Sequence, residues 1–305
     1  MNELTVYLSI DIGGTYIKYG EVTSTGTILN HAKVVTPKQN LTTFLATIYK
    51  IISQYQSDVA GVAVSVPGKV DEGTISFGGA LDFLDGVNLG RLIKEYVKEA
   101  LAVKVENDGK ANLLAEMWCS AFRKVQNCGA VVLGTGIGGG IALNGNLVYG
   151  EHQQASELSF MVNDFHLTGK DRLIGYNSSA VSLVSTIAES LGIRDSNNGQ
   201  KVFEIINDGN PIAIHLLESF CKKIAYLLVN IQSVVDLSAY VIGGGISSQP
   251  IVTQTINQQY DAILDEIPVL KKTLVRPQIV PSTYGNQTNL IGATYSLLRA
   301  QDQVS

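Results

Sequence analysis

Residues 105 to 116 read VENDGKANLLAE: a carboxylate, an amide and a second carboxylate, then a glycine and a helix-like run. A carboxylate in such a place can take the proton of an attacking hydroxyl, and an amide beside it can orient the acceptor. Those are two requirements of phosphoryl transfer to an alcohol. Asp108 is the residue for the first role and Asn107 for the second, while the chemistry does not need Glu106. Asp108 also stands at a helix N-cap position, between strand 103–105 and a helical stripe of Ala111, Leu114, Ala115 and Trp118. On this string alone, capping explains Asp108 as well as catalysis does.

Three glycine loops weigh on that choice. SIDIGGTYIK, 9–18, puts Asp11 at a strand end, Gly13, Gly14 and Thr15 in a turn, and Lys18 on the returning strand. Glycines in a tight turn let backbone N–H groups approach phosphate oxygens, and Thr15 and Lys18 add a hydroxyl and a positive charge. An ordinary hairpin has the same appearance, and the match is not a Walker loop, which a helix would follow. LGTGIGGG, 133–140, repeats the device with a glycine density that is costly to order. VIGGGIS, 241–247, ends a buried strand on Gly243, Gly244 and Gly245 just before a helix, where a nucleotide or its phosphates would lie against bare backbone. Three such loops point to one anionic ligand, and beside them Asp108 reads as a base rather than a cap.

The elements that must position these residues follow from periodicity. Leu4–Ile12, Tyr16–Val22 and Ile28–Val34 read as antiparallel strands, 41–55 as a helix, VAGVAVSVPG as a buried strand ending at Pro67-Gly68, and Asn88–Leu101 as a second helix. The order then repeats: strands 129–133 and 141–143, a hairpin turn at Asn144-Gly145, a long helix 213–235, strand 239–242, and helices 251–264 and 290–299. A β-meander followed by alternating helices and strands, twice over, predicts an α/β protein of two related lobes. The expected division is 1–117, together with the terminal helix 289–301, against 118–288.

Composition narrows the partner. The chain has 305 residues, 45% hydrophobic and 16% charged, enough for a large core. Its net charge of −5 arises from 22 basic and 27 acidic residues without long runs, which argues against nucleic acid and anionic membrane. The start, with acidic Glu3, lacks a basic leader region, and no stretch approaches the roughly 20 apolar residues of a membrane span. A cytoplasmic protein with a small-molecule partner is expected. Cys119, Cys128 and Cys221 lack C-x-x-C spacing, so neither a disulfide framework nor a cysteine zinc site follows from them. His31, His152, His166 and His215 are scattered, with no helical metal-site pair.

Taken in order, DIGGTYIK at 11–18, VPGKVD at 66–71, END at 106–108, GTGIGGGI at 134–141, ASE at 155–157 and IGGGIS at 242–247 resemble the ROK family of sugar kinases and repressors over nearly the whole chain. The resemblance implies duplicated actin-like (ribonuclease H-like) ATPase lobes with an active-site cleft between them. It implies ATP with Mg²⁺ as phosphoryl donor, a hexose hydroxyl, usually on C6, as acceptor, and a homodimer. Asp108 would match the family's general base. Asn107, Gly68, Gly79, Gly136 and Glu157 would match sugar-side positions. Asp11 would lie near the metal-bound phosphates, with Gly13, Gly14, Thr15 and Lys18 as the first phosphate segment. Gly134, Thr135 and Gly136 would form the second, and Gly243, Gly244 and Gly245 the adenosine-side loop.

The departures from the family are specific. Its A-G-E commonly continues into G-H and a cysteine-rich zinc segment, whereas this chain has ASELSFMVNDFHLTGKDRLIGYNSS. Ser156 stands for the glycine and Phe160 for a histidine at the sugar, and no structural zinc is expected. That departure, with GGAL at 78–81, resembles a zinc-free subset of β-glucoside kinases, so a β-glucoside or glucose is the sharper expectation. N-acetylmannosamine kinase, fructokinase and a non-catalytic sugar-binding regulator are the alternatives. A repressor is disfavoured because DIGGT begins at residue 11, leaving no room ahead of it for a helix-turn-helix.

Overall fold

Two five-stranded sheets built to one plan organise the computed structural model, which describes residues 4–302. The reading of Glu3 and the start of the chain lies outside the described residues. Two compact units result. The first comprises the chain up to Lys124, Leu147–Ala155 and the chain from Asn286 on; the second comprises Val125–Asn146 and Ser156–Gly285.

In the first unit, β1 (Val6–Ile12), β2 (Tyr16–Thr23) and β3 (Ile28–Val35) form the expected antiparallel meander. Helix α1 (Leu41–Tyr55) is capped by Asn40, whose Oδ1 accepts the Thr43 N–H at 2.9 Å, and it buries Phe44, Ile48, Ile51 and Ile52 along one stripe. Strand β4 (Gly61–Val66) is buried at every residue, as a central parallel strand must be. A small hairpin follows, β5 (Lys69–Asp71) and β6 (Thr74–Ser76), turning at Glu72 and Gly73 with φ of 46° and 82°. Its strands are too short to show a period in sequence. Helix α2 (Leu89–Tyr96) stops short of the expected Leu101 because Lys98 and Glu99 adopt φ of 52° and 59°, through which a right-handed helix cannot continue. Strand β7 (Ala102–Asn107) then runs directly into α3 (Asp108–Cys119). The sheet order is β3-β2-β1-β4-β7, with β1, β4 and β7 parallel.

The second sheet repeats the plan with β8 (Cys128–Leu133), β9 (Ile137–Leu143) and β10 (Asn146–Leu147), turning at Asn144 and Gly145 with φ of 53° and 76°. Here the sequence reading needs correction, because Gly138–Gly140 belong to β9 rather than to a loop. A Cβ on Gly139 would come within 2.6 Å of the Leu158 side chain, so this glycine serves close packing. Helices α4 (Ile174–Asn177), α5 (Ala180–Ser190) and α6 (Gly199–Asn207) follow, none of them predicted. Then come α7 (Pro211–Val235), β11 (Ala239–Gly244), α8 (Pro250–Glu266), α9 (Pro268–Thr273) and β12 (Gln278–Pro281). The order β10-β9-β8-β11-β12 matches that of the first sheet, with β8, β11 and β12 parallel.

The last helix, α10 (Thr288–Asp302), packs in the first unit, where a Cβ on Gly292 would lie 1.7 Å from the Ala111 carbonyl oxygen. Glycine there lets the backbones of α10 and α3 touch. Each sheet has its own apolar core. Among the described residues, no helix is long and apolar enough to cross a membrane.

Candidate active site

In open α/β sheets, ligands bind beyond the carboxyl ends of the parallel strands. The carboxyl ends of β1, β4 and β7 in the first unit carry Asp11, Pro67-Gly68 and Asn107-Asp108, with Asp11 in register with Ser65 and Val66 with Asn107. Asp11 is 6% exposed. Its Oδ1 accepts from Ser65 Oγ and Asn289 Nδ2, both at 3.1 Å, and Lys18 Nζ lies 3.3 Å from Oδ2. Lys18 also donates to the Asn286 carbonyl at 3.2 Å. The cation read as a phosphate ligand is thus engaged by the strand-end carboxylate. The turn between β1 and β2 leaves Thr15 exposed and Gly13 and Gly14 half-buried, closed by the Gly13 N–H donating to Tyr16 O at 3.0 Å. Thr36 Oγ1 braces it from β3's far side by donating to Gly13 O at 2.6 Å.

The END triplet resolves into three roles. The helix cap is Asn107, not Asp108, since Asn107 Oδ1 accepts the Lys110 N–H at 3.0 Å and Asp108 is already the first helical residue. Capping therefore no longer accounts for Asp108. The Asn107 side chain also donates to Gly68 O at 2.9 Å and to Asp108 Oδ1 at 3.1 Å, which ties the β4 turn to the β7 end. Asp108, half-buried, takes the Gly109 N–H on the same Oδ1 at 2.8 Å, so its carboxylate is oriented from two sides. Gly68 has φ of 92°, and a Cβ there would meet Phe77 O at 2.3 Å. Gly79 is exposed, and its Cβ position lies 3.9 Å from Pro67. The segment around it also approaches the first glycine turn, since a Cβ on Gly14 would lie 3.1 Å from that of Ala80.

Glu106, left aside in the sequence, is 3% exposed. Its Oε1 accepts the Asn107 N–H at 2.9 Å, and its Oε2 accepts the hydroxyls of Tyr149 and Ser296, each at 2.8 Å. Burial, then the neighbouring Glu106 charge, pushes the Tyr149 phenol far above its ordinary range, so it stays a proton donor. Tyr149 and Ser296 are the residues that sequence reasoning missed.

In the second unit, the ends of β8 and β11 are adjacent, with Gly243 in register with Val132 and Gly244 with Leu133. This brings the turn Gly134-Thr135-Gly136 beside Gly244-Gly245. Gly243 is buried within β11, Gly244 is half-buried and Gly245 exposed. Gly244 has φ of 94°, and a Cβ there would sit 2.1 Å from Leu133 O, whereas a Cβ on Gly245 would meet nothing within 4 Å. Helix α8 begins at Pro250, one residue ahead of the expected 251, and the turn and bend over 245–249 separate it from the last strand glycine. Exposed backbone at Gly245, rather than a helix N-terminus, therefore stands at the end of this strand.

Gly136 leads to Glu157, since a Cβ on Gly136 would lie 2.7 Å from Ser159 Oγ and the Ile137 N–H donates to that oxygen at 2.8 Å. Glu157 is half-buried at the start of a short 3₁₀ turn, 158–160. Ser156, at the family's glycine position, has φ of 70°, and its buried hydroxyl has no hydrogen-bond partner. Phe160 is 46% exposed.

The model of the ROK family matches residues 7–300. A beta-glucoside kinase of Listeria monocytogenes is 29% identical over 97% of this chain and 98% of its own length. A ROK family protein from Streptococcus pneumoniae TIGR4, solved in complex with sucrose, is 30% identical with a TM-score of 0.85, covering 98% of this chain and 100% of that one. A ROK family glucokinase from Streptomyces griseus, solved with glucose and AMPPNP, is 25% identical with a TM-score of 0.83, covering 95% and 97%.

Proposed function

We propose, from the premise that the chain belongs to the ROK family and is an ATP-dependent sugar kinase of actin-like fold, that Asp108 is its general base and a β-glucoside its preferred acceptor. The observation carrying the first part is the transfer of the capping role to Asn107, which leaves a doubly oriented carboxylate at the carboxyl edge of three parallel strands. In this reading, Asp108 accepts the proton of the sugar hydroxyl as it attacks. Asn107 holds the Gly68 carbonyl and the base in one arrangement. Glu157, Gly68, Gly79 and Gly136 complete the sugar side.

ATP with Mg²⁺ supplies the phosphoryl group and neutralises its developing charge. The residues fit that partner. Gly245 presents bare backbone to open space, Asp11 offers a hard carboxylate oxygen of the kind Mg²⁺ prefers, and beside it the buried Asn289 Oδ1 has no partner of its own. Gly13, Gly14, Thr15, Lys18, Gly134 and Thr135 belong to the phosphate side, and Gly243 to Gly245 to the nucleoside side.

The acceptor class rests on Phe160. Its exposure is at odds with a packing role inside the lobe, and a ring there offers an apolar face where a histidine would hydrogen-bond a sugar hydroxyl. A substituent at the anomeric end is tolerated by such a face. The β-glucoside kinase similarity supports the same class. A homodimer belongs to this reading too, supported by the exposed apolar Val162, Phe165 and Tyr226 around one groove beside α7, and a cytoplasmic location goes with it as part of the proposal.

The test is sugar-dependent ADP release with Mg²⁺, comparing glucose and cellobiose in the native chain and in Phe160→His. We expect kcat/KM to favour cellobiose, and the substitution to shift preference toward glucose by about tenfold. A strict glucose preference that the substitution leaves alone removes Phe160 from acceptor choice; no ADP release with any hexose or glucoside removes the kinase reading.

A further inference from the structure

We infer that Glu106, held by the hydroxyls of Tyr149 and Ser296, is a positioning residue that fixes the Asn107–Asp108 junction for proton transfer; the inference rests on Asp108 being the base. A carboxylate 3% exposed is costly unless paired or hydrogen-bonded. Among the described residues, no cation forms an ion pair with Glu106. Three donors from three separate stretches of chain satisfy it instead: the Asn107 N–H at 2.9 Å, and the Tyr149 and Ser296 hydroxyls at 2.8 Å each. An apolar side chain would fill the same space without that cost, so packing alone does not account for the carboxylate. What the carboxylate adds is direction, because Oε1 grips the one backbone N–H between strand β7 and the first turn of α3.

The grip acts on Asp108 through a short path. The Asn107 backbone is extended, with φ of −67° and ψ of 142°, and its side chain caps α3 while donating to Asp108 Oδ1. Fixing the Asn107 N–H fixes the plane from which that side chain leaves, and with it the carboxylate it orients. Tyr149 brings a second consequence. It lies in the stretch Leu147–Ala155, which packs in the first unit and continues directly into Ser156 and Glu157. Lys110, itself buried, ties the same stretch by reaching the Gln153 carbonyl at 3.5 Å. The base and the chain leading to a sugar-side residue therefore share one buried network, in which a misplacement of about 1 Å can cost roughly a hundredfold in rate.

The experiment measures steady-state kinetics of the full chain as Tyr149→Phe, Ser296→Ala, Glu106→Gln and Glu106→Ala, with Asp108→Asn as reference and circular dichroism melts as the folding check. Tyr149→Phe should lower kcat by roughly 10- to 100-fold while KM for sugar and for ATP stays within about threefold. Glu106→Gln should retain more turnover than Glu106→Ala, because the amide oxygen still accepts from Asn107. In the Asp108→Asn background, Tyr149→Phe should add no further loss, since both act through one group. Full turnover in Asp108→Asn would refute the base itself. If that variant is impaired while folded Tyr149→Phe and Glu106→Gln keep the native kcat, even with a lowered melting temperature, the positioning inference alone is overturned. Should Glu106→Ala fail to fold, Tyr149→Phe and Ser296→Ala decide the matter, as each removes only one oxygen.

Discussion

The carboxyl edges of the two sheets occupy equivalent places in one topology yet carry opposite kinds of chemistry. On the first sheet, the ends of β1 and β7 present side chains, Asp11, Asn107 and Asp108, each held by named hydrogen bonds. On the second, the ends of β8 and β11 present almost only backbone: Gly134, Thr135 and Gly136 beside Gly244 and Gly245. Duplication of a fold therefore does not duplicate a site. The edge built from side chains should be sensitive to the identity of a functional group, and the edge built from backbone to the volume of a methyl.

The strongest way to break that comparison is Asp108→Asn, which keeps size and hydrogen-bonding capacity but removes the proton acceptor. Turnover should fall by roughly 10² to 10⁴ with the fold intact. Because Asn107 holds the cap, thermal stability should change little. Steady-state ADP release together with a melt measures both, and a variant of near-normal turnover would mean that the first edge does not depend on group identity.

The next effect separates two neighbouring glycines of the backbone edge. Gly244→Ala forces a Cβ to within 2.1 Å of Leu133 O at φ of 94°, so it should destabilise the protein by about 3 kcal/mol. Gly245→Ala meets nothing within 4 Å and should fold normally, while the KM for ATP rises roughly tenfold if the nucleotide lies against that backbone. Denaturant melts and ATP titrations of the two variants distinguish crowding from binding. Equal stabilities would show that the close approach at Gly244 is relieved at little cost.

How much of this was legible in the sequence depended on whether the signal was local. The END triplet stood out because a strand, an amide, a carboxylate and a helical stripe follow one another directly. Even so, the string did not reveal which of two adjacent residues caps the helix. Tyr149 and Ser296 gave no sign, because a partner 43 or 190 residues from Glu106 leaves no periodic trace near it. The glycines of 134–140 were readable as a dense group but not divisible. Only the structure separates Gly134 and Gly136 in the turn from Gly138–Gly140 in β9, where the bare Gly139 admits Leu158. Helix α5 buries Ala180, Leu183, Val184, Ile187 and Ala188 at regular helical spacing, yet it follows a stretch of short 3₁₀ turns with no period.

The smallest effect falls where the chain returns to the second unit, and it has the opposite sign. Ser156 adopts φ of 70°, a left-handed conformation that costs a residue with a Cβ about 1–2 kcal/mol and glycine almost nothing. Its hydroxyl is buried without a hydrogen-bond partner, a further penalty of about 1 kcal/mol or more. Ser156→Gly removes both, at the expense of roughly 0.5–1 kcal/mol of extra unfolded-chain entropy. The balance favours the variant by about 1 kcal/mol, a rise in melting temperature of about 2–4 °C for a domain of this size. The substitution also restores the glycine of the family's A-G-E pattern next to Glu157, so its kinetics carry a second reading. If the serine is retained only through drift, turnover and sugar preference stay unchanged as stability rises. If its left-handed strain sets the direction of Glu157, the KM for sugar moves while kcat with saturating sugar does not. A fall in melting temperature would show that the Ser156 hydroxyl finds a partner in solution and that the backbone there is not strained.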